Sequence, residues 1–125
     1  VHEGHPNPTS DFDLKHDAGG MVDIEFIVQF LVLAYSHQYP QLIGNLGNIA
    51  LLRIAAEVGL IQSDIAKAVG DAYRLLRARQ HRLRLDGADK TRIQLSDEPD
   101  LIAARDSVIL LWKEIFKTSS NIETA

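Results

Sequence analysis

The sequence contains no cysteine, which excludes a disulfide framework and thiolate metal sites and fits a reducing compartment such as the cytoplasm. Basic side chains are also few: 13 stand against 17 acidic ones, and the formal net charge of -4 argues against a nucleic-acid partner. Long apolar runs are missing too. In the most hydrophobic segment the longest run covers residues 30–35, whereas a membrane-spanning helix needs about 20 residues, so we expect no membrane association.

What the sequence does contain is enough apolar material for one domain. Of its 125 residues 46% are hydrophobic, which suits a single modest core. Residues 1–11 are rich in Pro, Gly, Asn and Ser and show no signal-peptide pattern, so we interpret them as an irregular linker. The start at Val1 indicates a piece of a longer polypeptide. We therefore predict a linker at 1–11, a helical domain at 12–118 and a frayed tail at 119–125.

Four segments have the length and spacing of helices. The first, from Met21 to the stop at Pro40, alternates partly like a strand, but its length favours a helix. Because twelve of its first fifteen residues are apolar, we expect it at the centre of a bundle. The other three are predicted at 45–58, from Ser63 to the loop at 87–97, and at 101–116, with Pro99 in a first turn. This pattern predicts an all-α fold, an antiparallel bundle of about four main helices.

The start of the first helix carries the most informative polar residues. Gly19 and Gly20 precede it, and their backbone N–H groups could face a phosphate with Lys15 as counter-charge, although a plain turn explains the pair equally well. Asp23 and Glu25 would project from nearly opposite sides of the helix, so they are not a facing pair. Two interpretations stay open for these carboxylates, and for Glu25 with Gln29 in particular: they satisfy backbone groups or an arginine of a neighbouring helix, or they border a ligand site beside the glycine pair.

Two further clusters of ionisable residues occur in the sequence. The third helix ends in an arginine-rich segment that is either a solvated face with ion pairs or a docking surface for an acidic protein or for nucleotide phosphates. Its members are Arg74, Arg77, Arg79, Arg82 and Arg84. A histidine group near the N-terminus lacks the spacing of a metal motif, so we assign no metal there. It comprises His2, His5 and His16.

One long motif resembles a known family. It reads Phe12-Asp-Leu-Lys-x-x-x-Gly19-Gly20-x-x-Asp23-Ile-Glu25-Phe26-x-x-Gln29, and is followed by Leu31-Val-Leu and Asn48-Ile. It is similar to the helical region that follows the second nucleotidyltransferase domain of bacterial glutamine-synthetase adenylyltransferase. The similarity runs to about Phe116 and is looser after the first helix, where Ala72-Tyr73-x-x-Leu76-Arg77 corresponds only generally. Asp23, where the first half of such enzymes would have Glu, favours the C-terminal, adenylylating half.

The resemblance implies a parent enzyme that transfers AMP from Mg-ATP to a tyrosine of glutamine synthetase, under control of glutamine and the PII signal protein. The family's Gly-Ser-x-x-x-x-Asp-x-Asp signature, which holds the metal ions, belongs to the preceding domain and is absent from this sequence. The resemblance therefore implies no catalytic residue here, no turnover by this chain alone, and ATP and Mg²⁺ only in the parent.

By the same resemblance the chain would close one wall of the nucleotide cleft, formed by Lys15, Gly19, Gly20, Asp23 and Glu25. Its expected partners are the preceding nucleotidyltransferase domain, glutamine synthetase and PII, the last two docking on the arginine cluster. The alternatives are a non-catalytic protein-binding module and the helical domain of a related PII uridylyltransferase.

Overall fold

The computed structural model describes residues 11–44, 46–86, 92–96 and 98–124, apart from the side chains of Arg92 and of residues 117–124. Four helices dominate this part of the chain: α1 (Met21–Tyr35), α2 (Asn48–Glu57), α3 (Ser63–Leu85) and α4 (Pro99–Thr124). A short 3-10 helix spans Pro40–Leu42. The predicted all-α bundle of four main helices is confirmed.

A small strand pair accompanies the helices. Strand β1 (Phe12–Asp13) lies antiparallel to β2 (Arg92–Ile93), with Phe12 opposite Ile93. Phe12 is buried and belongs to the core cluster. The segment predicted as a plain loop between the third and fourth helices therefore ties the start of the domain to the α3–α4 connection.

Several predicted boundaries shift. Helix α1 ends at Tyr35 rather than Tyr39. Tyr39 has φ -126° and ψ 85°, outside the helical region that Pro40 disfavours for the residue before it. Helix α2 begins at Asn48, after Gly47, whereas Asn45 and residues 1–10 of the linker predicted at 1–11 lie outside the described residues. The α4 backbone continues to Thr124, through the segment predicted as a frayed tail.

The prediction that the first helix is innermost is wrong. Helix α3 makes the most extensive contacts, with α4 and α2, whereas α1 buries one face only. Ile24 and Ile27 are fully enclosed, but Leu33 is 82% exposed. Helix α1 therefore carries more apolar side chains than are buried in the core of this domain. Among the described helices, none combines the length and apolarity that crossing a bilayer requires.

Candidate functional site

The chain turns sharply between β1 and α1, and backbone groups close this turn. The Asp13 carboxylate accepts the N–H groups of Lys15 at 2.9 Å and His16 at 3.0 Å. The Gly20 N–H donates to the Asp17 carbonyl at 2.8 Å, and the Met21 N–H donates to the carbonyl of Leu14 at 2.8 Å. The polar residues before α1 thus form a closed turn.

Gly19 is required in this turn for two reasons. Its φ of +84° lies in the left-handed region, where a Cβ is unfavourable. A Cβ built there would also lie 2.6 Å from Arg105 Cγ and 2.7 Å from the Arg105 carbonyl oxygen. The turn therefore packs directly against the backbone of α4, which fixes the position of the α1 N-terminus in the bundle.

Asp23, in the first helical turn of α1, stabilises the β1–α1 connection by a hydrogen bond. It is only 2% exposed, and its Oδ2 accepts the Gly19 N–H at 2.8 Å. A carboxylate is also favoured electrostatically near a helix N-terminus. Asp23 faces into the protein, which agrees with the interpretation that this carboxylate binds groups of its own domain.

The geometry removes one hypothesis for the glycine pair. Both glycines are buried, and both N–H groups donate within the chain, to Asp23 and to the Asp17 carbonyl. These N–H groups are engaged in the turn, so the idea that they face a phosphate is wrong. Gly19 and Gly20 shape the turn that precedes the candidate wall.

Glu25 has a different environment, on the other side of α1. It is half-buried, and its Oε2 accepts a hydrogen bond from the Tyr73 hydroxyl at 3.1 Å. The Tyr73 oxygen in turn accepts from Asn48 Nδ2 at 3.1 Å, and the Arg77 guanidinium lies 5.7 Å from the Tyr73 ring centroid. We call Glu25, Asn48, Tyr73 and Arg77 the Glu25 network. It joins α1, α2 and α3 and holds one carboxylate where it still reaches solvent.

Tyr73 is protonated at neutral pH, as a hydrogen-bond donor to Glu25 must be. Burial raises the pKa of the Tyr73 phenol, an effect that the Asn48 hydrogen bond opposes and the Glu25 charge reinforces. The phenol therefore keeps its proton at neutral pH and donates it to the Glu25 carboxylate. A hydrogen bond to an ionised acceptor is stronger than one between neutral groups, so it favours one orientation of Glu25.

The structure does not bring all five predicted wall residues to one surface. Lys15 is half-buried, and within the described residues it makes no ion pair with Glu25. Gly19, Gly20 and Asp23 are enclosed in the turn. Of the predicted set, Lys15 and Glu25 are the residues whose side chains are accessible.

The arginine cluster is largely engaged inside the domain. Arg79 makes a bidentate pair with Glu98, with two N–O distances of 2.8 Å, and Arg74 pairs with Asp71 at 3.1 Å. The Glu98 hydrogen bond raises the pKa of Arg79, and the Arg79 hydrogen bond lowers the pKa of Glu98. With Arg77 over the Tyr73 ring, three of the five arginines contact residues of this domain, although only Arg79 among them is half-buried and the other four members are exposed.

The N-terminal histidine group gives no metal centre in the part that can be described. His16 Nδ1 lies 3.5 Å from Asp13 Oδ2, within the turn, while His2 and His5 lie outside the described residues. Across the described ranges, no three potential metal ligands come together.

Asn48 and Tyr73 are site residues that sequence reasoning did not select. Both occur in segments that contribute to the family resemblance, Asn48-Ile and Ala72-Tyr73-x-x-Leu76-Arg77. Tyr73 lies 48 positions from Glu25, so no helical period links them. The sequence offers one indication of this contact: segments that share a family motif often lie close together in the folded protein.

Comparisons with known proteins support this resemblance. The family model described as GlnD PII-uridylyltransferase matches residues 2–107. Among similar proteins are three named bifunctional glutamine synthetase adenylyltransferase/adenylyl-removing enzyme. They come from Aromatoleum aromaticum (51% identity, 91% of this chain), Nitrosomonas europaea (50%, 93%) and Burkholderia mallei (54%, 90%). The chain spans only 12–14% of the length of these relatives. The predicted resemblance to glutamine-synthetase adenylyltransferase is confirmed.

Proposed function

Because this chain belongs to the family described as GlnD PII-uridylyltransferase, we propose that it is a helical companion domain of a larger nucleotidyltransferase that modifies glutamine synthetase. The relatives at about half identity carry that activity in their names. The parent would transfer AMP from ATP to glutamine synthetase, and the chain would contribute a wall of the cleft next to the catalytic domain, in the adenylylating half.

The observation that carries this proposal is the Glu25 network. Through Tyr73 and Asn48, helices α3 and α2 orient one half-buried carboxylate of α1. Holding an accessible side chain by a hydrogen bond from Tyr73, which Asn48 holds in turn, reduces the reorganisation needed when a partner binds.

The role of each wall residue follows from its surroundings. A carboxylate repels phosphate, so the partner of Glu25 is a cation or a hydroxyl donor of the neighbouring domain or of the substrate. Among the five wall residues, Lys15 is the one whose positive charge suits contact with a phosphate. Asp23 and the two glycines act indirectly, by fixing the start of α1.

The residues of this turn do not fit a magnesium site. Asp13, Asp17 and Asp23 each accept a backbone N–H group, at 2.8 to 3.0 Å, and are committed to the turn. Mg²⁺ is usually bound by carboxylates that leave room for several waters and for substrate phosphates. ATP and Mg²⁺ are therefore assigned to the remainder of the parent enzyme, and no step is routed through them here.

The test is Glu25→Gln in the full-length parent. Loss of an interaction with a charged group costs about 1.5–3 kcal/mol, so transfer of AMP to glutamine synthetase should fall about 10- to 100-fold. The glutamine amide oxygen can still accept from Tyr73, so the melting temperature should change little. Glu57→Gln, an exposed glutamate on α2, is the matched control and should keep full activity. A large loss of stability with normal transfer would assign Glu25 to the fold alone.

The description of the matching family model favours one rival, a domain of a PII uridylyltransferase. Incubating the full-length parent with labelled ATP or UTP, in the presence of glutamine synthetase or PII, separates the two proposals. We expect label from ATP on glutamine synthetase. If label from UTP appeared on PII, the parent would be a PII uridylyltransferase, and the chain could still form a wall of its cleft.

For docking of glutamine synthetase or PII, the proposal now rests on two members of the arginine cluster. Arg82 and Arg84 are exposed at the end of α3; Arg74 and Arg77 are exposed too, but they contact Asp71 and Tyr73, and Arg79 is half-buried against Glu98. Charge reversal at Arg82 and Arg84 would weaken association if that end of α3 meets an acidic surface.

A further inference from the structure

Aromatic side chains of α1 and α4 gather on one side of the bundle. The Phe26 and Trp112 ring centroids lie 5.5 Å apart, Trp112 and Phe116 lie 4.5 Å apart, and Phe30 and Phe116 lie 5.0 Å apart. This group contains three of the four phenylalanines and the only tryptophan of the chain. Together with Leu33 we call it the aromatic face.

The aromatic face is not enclosed by this domain. Phe26 is 44% exposed and Leu33 is 82% exposed, and the other three rings are half-buried. The exposed residues of α1 carry no charge: they are Phe26, Gln29, Leu33 and Ala34. Helix α3, in contrast, exposes charged residues such as Lys67 and Asp71. An uncharged helix face with clustered rings is typical of a surface that another protein surface covers.

We infer that the aromatic face is where the rest of the same polypeptide packs on this domain. Relatives are several times longer than this chain, which covers 12–14% of their length, so a covalently linked occupant is always present. An exposed apolar patch promotes aggregation, so a permanently bound partner is expected to cover it.

This inference rests on the proposed function, because it names the surface by which the companion domain meets the catalytic part. Its readout is nevertheless independent of transfer. The experiment measures how fast a thiol introduced on the aromatic face reacts with a maleimide in the purified full-length parent, without glutamine synthetase or PII. The labelled peptide is quantified by mass spectrometry, which separates it from any other thiol.

Leu33→Cys is the test variant and Leu85→Cys is the matched control. Both leucines are highly exposed in this domain, 82% and 73%, on different helices. Each labelling rate is compared with the rate of the same variant in denaturant. We expect the thiol at position 33 to react at least about tenfold more slowly in the folded parent, and the thiol at position 85 to react nearly as fast as when unfolded. Gln29→Cys, one turn earlier on α1, gives a second reporter that removes no apolar contact.

Equal, fast labelling at positions 33 and 85 would overturn the inference, because the aromatic face would then be open in the whole enzyme. Protection that disappears on dilution would also overturn it, since the occupant would be a second copy. Concentration-independent protection at position 33 supports it. If Glu25→Gln left transfer unchanged while this protection persisted, the proposed function would fail and the docking surface would stand.

Discussion

Replacing Asp23 with alanine should destabilise the domain by about 2–3 kcal/mol. The change leaves the buried Gly19 N–H without its acceptor, which costs about 1–3 kcal/mol. It also removes a negative charge from the α1 N-terminus, worth about 0.3–1 kcal/mol. For a domain of this size, we expect the melting temperature to fall by about 6–12 °C.

Thermal and urea unfolding of this chain, followed by circular dichroism at a helical wavelength, measures this loss. Asp71→Ala is the matched control, since Asp71 is an exposed carboxylate on α3 that pairs with Arg74 at 3.1 Å. Exposed ion pairs contribute about 1 kcal/mol or less, so the control should stay close to the unmodified chain.

A change of less than about 0.5 kcal/mol in Asp23→Ala would refute the reasoning, since surface substitutions typically have effects of that size. Asp23 would then not fasten the turn. The assignment of Asp23 to the fold and of Glu25 to the cleft would lose its basis.

Two further predictions concern the same turn and the α3–α4 connection. Gly19→Ala should cost about 2–5 kcal/mol in chemical denaturation, since it combines left-handed strain with a contact at 2.6 Å to Arg105, whereas Gly59→Ala, at φ +87° with no atom within 4 Å, should cost only about 1–2 kcal/mol. Similar losses would mean that the turn does not pack tightly on α4. The Arg79 hydrogen bond lowers the pKa of Glu98 below its usual 4.5, so the stability from this pair is complete above that value and disappears as the pH falls through the lowered pKa. Glu98→Gln should therefore melt lower than the unmodified chain at neutral pH and equally in strong acid; a pH-independent difference would contradict this.

The helices could be predicted because their signals are local. Helix α3 begins at Ser63, although Gln62 and not Ser63 is its N-cap, and Pro99 lies in the first turn of α4, where proline is tolerated. The location of α1 could not be predicted the same way. Apolar content does not distinguish a residue buried in its own core from one that a separate domain covers, and Leu33 belongs to the exposed group.

The site was predictable only in part, for a similar reason. The motif drew attention to Glu25 and Asp23, but their separation into an accessible and an enclosed carboxylate depends on distant contacts. Tyr73 reaches Glu25 across 48 positions, and Arg79 reaches Glu98 across 19. The engagement of Arg79 likewise could not be read from the charge run, because its partner lies beyond the following loop.

The account depends most on the idea that Tyr73 orients Glu25 for use in the cleft. A double-mutant cycle in the full-length parent tests this directly, by measuring the rate of AMP transfer for Glu25→Gln, Tyr73→Phe and the pair. If the two side chains act as one unit, the pair should lose no more activity than Glu25→Gln alone, to within about twofold. Losses that multiply, or an unchanged rate in Tyr73→Phe, would contradict the account.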